Sequence, residues 1–232
     1  MKGILFGDKH SYKDWNMILV SKDVSTPEPK TNNIEIPGAD GVIDLTEALT
    51  GDVKYNNRKL TFEFAIRREF SKHLAIQSKI SNYLQGKKLK IIMDDDKSFY
   101  YIGRCTINKF ESNNTIGKLI IEVDAEPYKY DIQSSLEDWI WDTFSFEDGI
   151  INTKTDNISV LGEEEVIILG RRKRVSPEIT TNGDMEVEFN GNVYKLSAGK
   201  NKILDIQIQE GENILKFIGT GSVTIDYRGG SL

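Results

Sequence analysis

The sequence predicts a mainly β protein in two parts, a strand-rich first part with one helix (residues 1–130) and a β-sandwich (residues 131–232). Three patterns carry this prediction. Leu60–Arg67 alternates apolar and polar side chains, as a half-buried antiparallel strand does. One apolar stripe at spacings of three and four indicates a single helix over about residues 71–85. From Phe144 onward, short strand patterns recur between polar or glycine turns with no helical period, which is typical of a β-sandwich.

The chain before the first loop predicts short strands and a rigid connector. Strands are expected at residues 2–6 and about 16–21, with Trp15 as a core residue at the start of the second. Thr26–Lys30 holds two prolines, which fix their own φ and keep the preceding residues out of the helical region. Asn33–Ile36 then alternates as a third strand that leads into the loop.

The loop that follows has several forced backbone angles and reads Ile36-Pro-Gly-Ala-Asp-Gly-Val-Ile-Asp-Leu45. Gly38 and Gly41 are free to take a positive φ, and the φ of Pro37 is fixed by its ring. The loop contains no nucleophile, metal-ligand cluster or phosphate cradle. We therefore predict a shaped surface that docks a partner, while the alternative that the loop only caps its own domain stays open.

The one helical stripe predicts an amphipathic helix that covers the sheet. Ser71 is placed to cap its start and Gly86 to end it, and His73 is expected to be partly exposed. The apolar residues of the stripe are Phe70, Leu74, Ile76, Ile80, Tyr83 and Leu84.

Two hairpins are predicted after the helix. Lys88–Met93 and Ser98–Arg104 flank an aspartate turn at Asp94–Asp96, which lacks the ligand spacing of a calcium loop and is expected to be a solvated turn. Thr106–Phe110 and Lys118–Val123 form the second hairpin.

The charge balance changes near Asp131, where we predict a domain boundary. Residues 1–130 carry 20 Lys and Arg against 18 Asp and Glu, whereas residues 131–232 carry 10 against 18. Asn190-Gly191 favours a type I′ hairpin turn, and Gly170–Arg174 predicts a basic loop that pairs with an acidic neighbour. A turn is also expected at Gly219-Thr-Gly221. Strands are predicted at Asn157–Leu161, Val166–Leu169, Glu178–Thr181, Met185–Phe189, Asn192–Leu196, Asn201–Ile208, Asn213–Phe217 and Ser222–Tyr227.

The composition argues against several classes of protein. Neither part has the basic surplus of a nucleic-acid-binding domain, so no nucleic acid partner is expected. No apolar run reaches the ~18 residues of a membrane helix, so no membrane insertion is expected. Cys105 is expected to be a small buried residue. Two histidines are too few for a histidine-based metal site, and no cofactor is expected. Hydrolase, phosphate-loop and zinc-protease motifs are missing, so no catalytic residue is assigned and no enzyme is predicted.

Short motifs follow one another in a fixed order over nearly the whole chain. They are Ile36–Leu45, Tyr55–Arg58, Tyr83–Lys87, Ile91–Asp96, Tyr101–Arg104, Glu126–Tyr128, Val175–Ile179, Gly211–Leu215 and Tyr227–Gly230. In order and spacing, these motifs resemble the distal tail proteins of phages with long, non-contractile tails, a family also found in prophages of Gram-positive bacteria.

The resemblance implies a fold and a structural role. The first part would be a β-barrel-like (split-barrel) domain that assembles as a homohexameric ring, and the second a β-sandwich of galectin or carbohydrate-module type. The ring would be the hub of the tail tip, or baseplate, of the virion, made in the bacterial cytoplasm. It would join the tail-tube protein to a tail-associated hub or fibre protein that faces the host.

Two sets of candidate site residues follow. The ring or partner contact is expected at Gly38, Asp40, Gly41, Asp44, Asn57 and Arg58. The alternative function, a carbohydrate-binding module that adheres to the host cell wall, would stack saccharide on Trp139, Trp141 or Tyr194. The second part could thus carry a receptor-binding protein or a host polysaccharide, and the sequence leaves this choice open.

Overall fold

The computed structural model describes residues 2–67, 73–112, 116–136 and 155–232. The chain forms two compact units. The first comprises Met1–Asp96 and Tyr101–Pro127 together with Leu232, and the second comprises Lys97–Tyr100 and Tyr128–Ser231. The division after Pro127 lies a few residues before the predicted boundary, and the second unit also takes four residues from within the first part.

The first unit is an antiparallel half-barrel with one helix in its described residues. Its sheet follows the order β2-β1-β7-β8-β9-β6-β3, and β4 and β5 form a separate two-stranded hairpin. The elements are β1 (Ile4–Phe6), β2 (Lys9–His10), β3 (Met17–Val24), β4 (Asn33–Glu35), β5 (Val42–Asp44), β6 (Arg58–Arg67), α1 (His73–Leu84), β7 (Lys88–Met93), β8 (Asp96–Ser112) and β9 (Ile116–Ala125). Both predicted hairpins, β7–β8 and β8–β9, are present.

The alternation of β6 builds the core of this unit. Its even-numbered apolar side chains Leu60, Phe62, Phe64 and Ile66 have no exposed surface and share one core with Phe6 of β1 and with Trp15, which precedes β3. Helix α1 covers the same core with Ile80 and Leu84. The half-buried strand, the covering helix and the core position of Trp15 are thus confirmed.

Two details of the helix prediction are wrong. Leu74 is 69% exposed, whereas His73 is fully buried. The buried face of α1 follows His73, Ile80 and Leu84, and consecutive helical residues point about 100° apart, so Leu74 turns away from that face. Gly86 ends the helix as predicted, with a φ of 73°.

The second unit is a β-sandwich in which one long strand, β16, pairs with β11, β12 and β13. Its elements are β10 (Lys129–Asp131), β11 (Ile158–Gly170), β12 (Glu178–Thr181), β13 (Met185–Phe189), β14 (Asn192–Leu196), β15 (Gly199–Asn201), β16 (Gly211–Asp226) and β17 (Gly230–Ser231). Strand β10 pairs with β17 on one side and with Phe99 and Tyr100 of β8 on the other. The buried side chains of these strands form one core.

The predicted turn at Gly219–Gly221 is wrong, because β16 runs through it and stays paired with β11. Both glycines instead serve close approaches: a Cβ on Gly219 would lie 2.8 Å from Cβ of Met185, and one on Gly221 would collide with the side-chain oxygen of Asn182. The strand predicted at Asn201–Ile208 is wrong, because β15 (Gly199–Asn201) ends at the first residue of that range.

Two local predictions in this unit are confirmed. Asn190 and Gly191 have φ values of 50° and 77° and close the β13–β14 hairpin. In the basic loop, Nε of Arg171 donates a hydrogen bond to Oδ2 of Asp131 at 2.7 Å. Burial is the largest influence on the pKa of Asp131 and raises it, although the Arg171 guanidinium opposes that shift.

Candidate docking surfaces

The β4–β5 hairpin with its tip, residues 33–44, forms a fully exposed arm on the first unit. Every residue from Glu28 to Asp44 is exposed to solvent. Ile34 pairs directly with Ile43 across the two strands, so their side chains share one face of the arm. They are 47% and 48% exposed, and Ile36, two residues along the same strand direction, is 46% exposed.

An exposed row of three isoleucines is unusual for a hairpin of this size. An isolated two-stranded hairpin is at best marginally stable in water, and here neither face is covered by the described residues. Contiguous exposed apolar side chains on a soluble protein mark contact sites for other proteins. The arm therefore has the properties of a docking element.

The tip of the arm is held by backbone geometry. Gly38 and Gly41 have φ values of 86° and 78°, as their sequence context predicts, and a Cβ on either would meet no atom within 4 Å. The N–H of Ala39 donates to the carbonyl of Ile36 at 3.1 Å, which closes a tight turn. Asp40 lies exposed at this tip, beside a shallow cleft of about 280 Å³ lined by the tip residues.

Asp44 fixes the base of the arm. Its Oδ1 accepts the N–H of Thr46 at 2.9 Å, and the hydroxyl of Thr46 accepts the N–H of Asn32 at 3.0 Å. The side-chain hydrogen bond from Thr46 holds the pKa of Asp44 below its usual value. Asp44 is therefore ionised at neutral pH and holds Thr46, whose hydroxyl joins the two strands of the arm where they leave the unit.

Arg58 is set apart from the other predicted contact residues because its side chain is buried. Its Nε donates to the carbonyl of Ser25 at 2.8 Å, one terminal nitrogen donates to the carbonyl of Pro127 at 3.3 Å, and the guanidinium stacks on Tyr101. Burial lowers the pKa of Arg58. Its partners all belong to its own unit, so we leave Arg58 out of the docking surface, whereas Asn57 is exposed beside it.

The comparison with known families decides what kind of protein carries this arm. Residues 7–125, which include the arm and most of the first unit, match the family described as the phage tail protein RIFT-related domain. The chain belongs to this family of phage tail proteins. The family resemblance seen in the sequence motifs is thus confirmed.

The whole fold of this phage tail protein has a counterpart among solved structures. The chain is similar to the SPP1 Dit protein, described as a paradigm of the hub adsorption apparatus in phages that infect Gram-positive hosts. The identity is 12%, the TM-score is 0.67, and the match covers 98% of this chain and 99% of that one. No curated protein sequence matches the chain. The predicted fold class, mainly β with a helix-bearing half-barrel and a sandwich, is confirmed.

The saccharide candidates of this phage tail protein remain predictions. Trp139 and Trp141 lie outside the described residues. Tyr194 pairs with Val187 across the β13–β14 hairpin and packs half-buried against the second core. Part of its side chain is therefore already covered by the protein.

The aspartate turn after β7 is bound by groups of the protein itself. Oδ2 of Asp94 accepts the N–H of Gly3 at 2.7 Å and lies 3.1 Å from Nε2 of His10, while Asp95 pairs with Nζ of Lys22 at 2.5 Å. Among the residues that the structure describes, no group of three or more His, Cys, Asp or Glu side chains is arranged to hold a metal ion. The described helix is too short to cross a membrane.

Sequence reasoning missed the isoleucines of the arm. It assigned the contact to Gly38, Asp40, Gly41 and Asp44, and it read the alternation of Ile34 and Ile36 as an ordinary strand. Among the described residues, β4 and β5 pair only with each other. The sequence signal that was missed is the spacing, because the next strand, β6, begins fourteen residues after the end of β5.

Proposed function

We propose that this phage tail protein is the structural hub of the tail tip and assembles as a homohexameric ring. The ring joins the tail-tube protein to a tail-associated, host-facing hub or fibre protein in the virion. Its family membership and its likeness to the SPP1 Dit fold support this role. A scaffold of this kind acts by binding and carries out no catalysis.

In this proposal, the two parts of the chain have different roles. The first (residues 1–130) forms the ring, and the second (residues 131–232) is a sandwich that presents a surface to further tail components, such as a receptor-binding protein, or to host polysaccharide. The hydrophobic core of each unit is built from its own residues, which supports this division.

The exposed arm is the observation on which the proposed ring rests. Its apolar face cannot be covered from within the chain's described residues, and a neighbouring copy in a ring offers every arm the same partner surface. The fixed tip lowers the entropy lost when the arm is ordered on binding. Gly38, Asp40, Gly41 and Asp44 shape this contact, and Ile34, Ile36 and Ile43 provide its apolar area.

The test measures the assembly of the purified chain. We expect light scattering after chromatography to give six times the 26.3 kDa chain mass, and electron micrographs to show six-fold rings with a central pore. The double variant Ile34→Glu/Ile43→Glu should remain folded but be monomeric. Leu204→Glu is the matched control, since Leu204 is 69% exposed on the second unit and should not affect assembly. A wild-type protein that stays monomeric up to about 100 μM would contradict the ring.

A further inference from the structure

The second unit carries an exposed apolar row on the outer face of the β11–β16 ribbon. Ile167 of β11 lies directly opposite Ile214 of β16, and the two side chains are 46% and 50% exposed. Leu169, two residues further along β11 and on the same face, is 36% exposed. The inward neighbours Val166 and Ile168 fill the core, so the outward row is not needed for folding.

The spacing of this row fits an extended ligand. Alternate residues on a strand lie about 6.7 Å apart, so Ile167 and Leu169 match every second side chain of an extended polypeptide. Within the described part of the chain, β11 pairs with β16 only, which leaves the backbone groups of its other edge open to an added strand.

The surroundings of the row are strongly acidic. A depression of about 470 Å³ beside Ile214 is lined by Glu165, Glu188, Glu210 and Glu212, with Lys216 as its one cation. Nζ of Lys216 lies 2.8 Å from Oε2 of Glu163, and this hydrogen bond raises the pKa of the lysine. That cation is therefore already engaged. Glu165, Glu188 and Glu212 form no ion pair with any residue that the structure describes.

The charge selects one class of occupant. A second copy docked edge to edge through β11 would add its own run Glu163–Glu165 to the same acidic ribbon, which costs free energy because like charges repel. Anionic wall polymers are repelled in the same way. An extended polypeptide that carries both apolar residues and lysine or arginine on one of its faces satisfies the row and the carboxylates, which lie on the same face of the ribbon.

We propose that the outer face of the β11–β16 ribbon binds a basic, extended segment of another virion protein. The binding surface itself stands on the second unit alone; only the assignment of its partner to the virion rests on the proposed function.

The test uses the full chain and a synthetic probe, the peptide Lys-Lys-Val-Val-Lys-Lys-Val-Val blocked at both ends, in which lysine and valine alternate along each face of the extended chain. Fluorescence anisotropy should show binding at 50 mM salt that weakens as salt is raised. Glu165→Lys/Glu212→Lys should weaken binding at least tenfold, as should Ile167→Ser/Ile214→Ser, which removes the apolar row without adding charge. The control Asp205→Lys/Asp184→Lys makes the same charge change at sites outside the depression and should leave the affinity within twofold.

The outcomes separate this proposal from the ring. No binding of the lysine peptide at 50 mM salt, or an equal loss of affinity in the control, overturns the basic-segment surface. Tighter binding of polyglycerol phosphate than of the lysine peptide also overturns it, in favour of a wall polymer. The charge-reversed variants should keep the oligomeric mass of the wild type, so a failure of the ring appears in mass measurements and a failure of this surface appears in anisotropy.

Discussion

The guanidinium of Arg58 lies over the ring of Tyr101, with its central carbon 5.4 Å from the ring centroid. Arg58→Met keeps the aliphatic stem but leaves the carbonyls of Ser25 and Pro127 without their donor. We expect the free energy of unfolding to fall by about 2–3 kcal/mol, as for buried hydrogen bonds to a charged group. Urea unfolding followed by tryptophan fluorescence measures it. The control Lys59→Met removes an exposed ion pair with Glu122 and should lower the free energy of unfolding by less than about 1 kcal/mol. If both variants lowered it equally, the structural role of Arg58 would be contradicted.

Gly103 of β8 leaves no room for a side chain against β9. An added Cβ would lie 2.8 Å from Cα of Ala125 and 2.9 Å from the carbonyl oxygen of Asp124, both rigid backbone atoms. Gly103→Ala should therefore destabilise the first unit by roughly 3 kcal/mol or more, through overpacking. Gly117→Ala is the matched control on the same hairpin, because its Cβ would meet only ordinary contacts at 3.5 Å and beyond. Thermal unfolding should give a clearly lower Tm for Gly103→Ala than for Gly117→Ala, and equal Tm values would refute the prediction.

Cys105 is fully buried, and burial raises the pKa of its thiol to about 12. The folded state therefore binds a proton that the unfolded thiol releases from about pH 9, so stability falls as pH rises from about 9 to 12, by about 1 kcal/mol per pH unit. In Cys105→Ala, the free energy of unfolding should fall less between pH 9 and 12 than it does in the wild type. A thiol-reactive dye should label the native protein at pH 8 only at the rate of its unfolding. Fast stoichiometric labelling under native conditions would contradict this.

The arm offers a prediction in which stability and assembly separate. Gly41→Val places a β-branched residue at a φ of 78°, which forces the tip to rearrange. Because no core atom lies near Gly41, the free energy of unfolding should change by less than about 1 kcal/mol while ring assembly is lost. Ala39→Val is the control within the same tip, since Ala39 does not have a positive φ. Intact rings of folded Gly41→Val would exclude the tip from the contact.

Local patterns predicted the elements whose residues repeat with a clear period. The alternation of Leu60–Arg67 located β6 and its buried face, and Asn190-Gly191 located a hairpin turn, since each depends on neighbours in the sequence. The glycines at Gly219 and Gly221 predicted a turn that does not exist. A glycine required by a neighbouring strand looks the same in sequence as a glycine required by a turn.

The candidate site shows the same limit. The forced angles of Gly38 and Gly41 were readable because they are properties of single residues and their neighbours. Whether Ile34 faces a core or solvent depends on which strand lies beside β4, and Arg58 is buried because carbonyls distant in sequence converge on it. These are consequences of tertiary pairing, which periodicity along the chain does not encode.

The pairing of β10 with β17 has a consequence for how the protein is made. Residues 129–131 leave the ribosome about a hundred residues before Gly230 and Ser231, which is several seconds or more at the usual rate of synthesis. During this interval the first unit can fold, whereas the edge of β10 that pairs with β17 has no partner. The nascent chain thus holds an unpaired strand edge until translation reaches residue 231, and shielding of that edge by chaperones would be needed most in this interval.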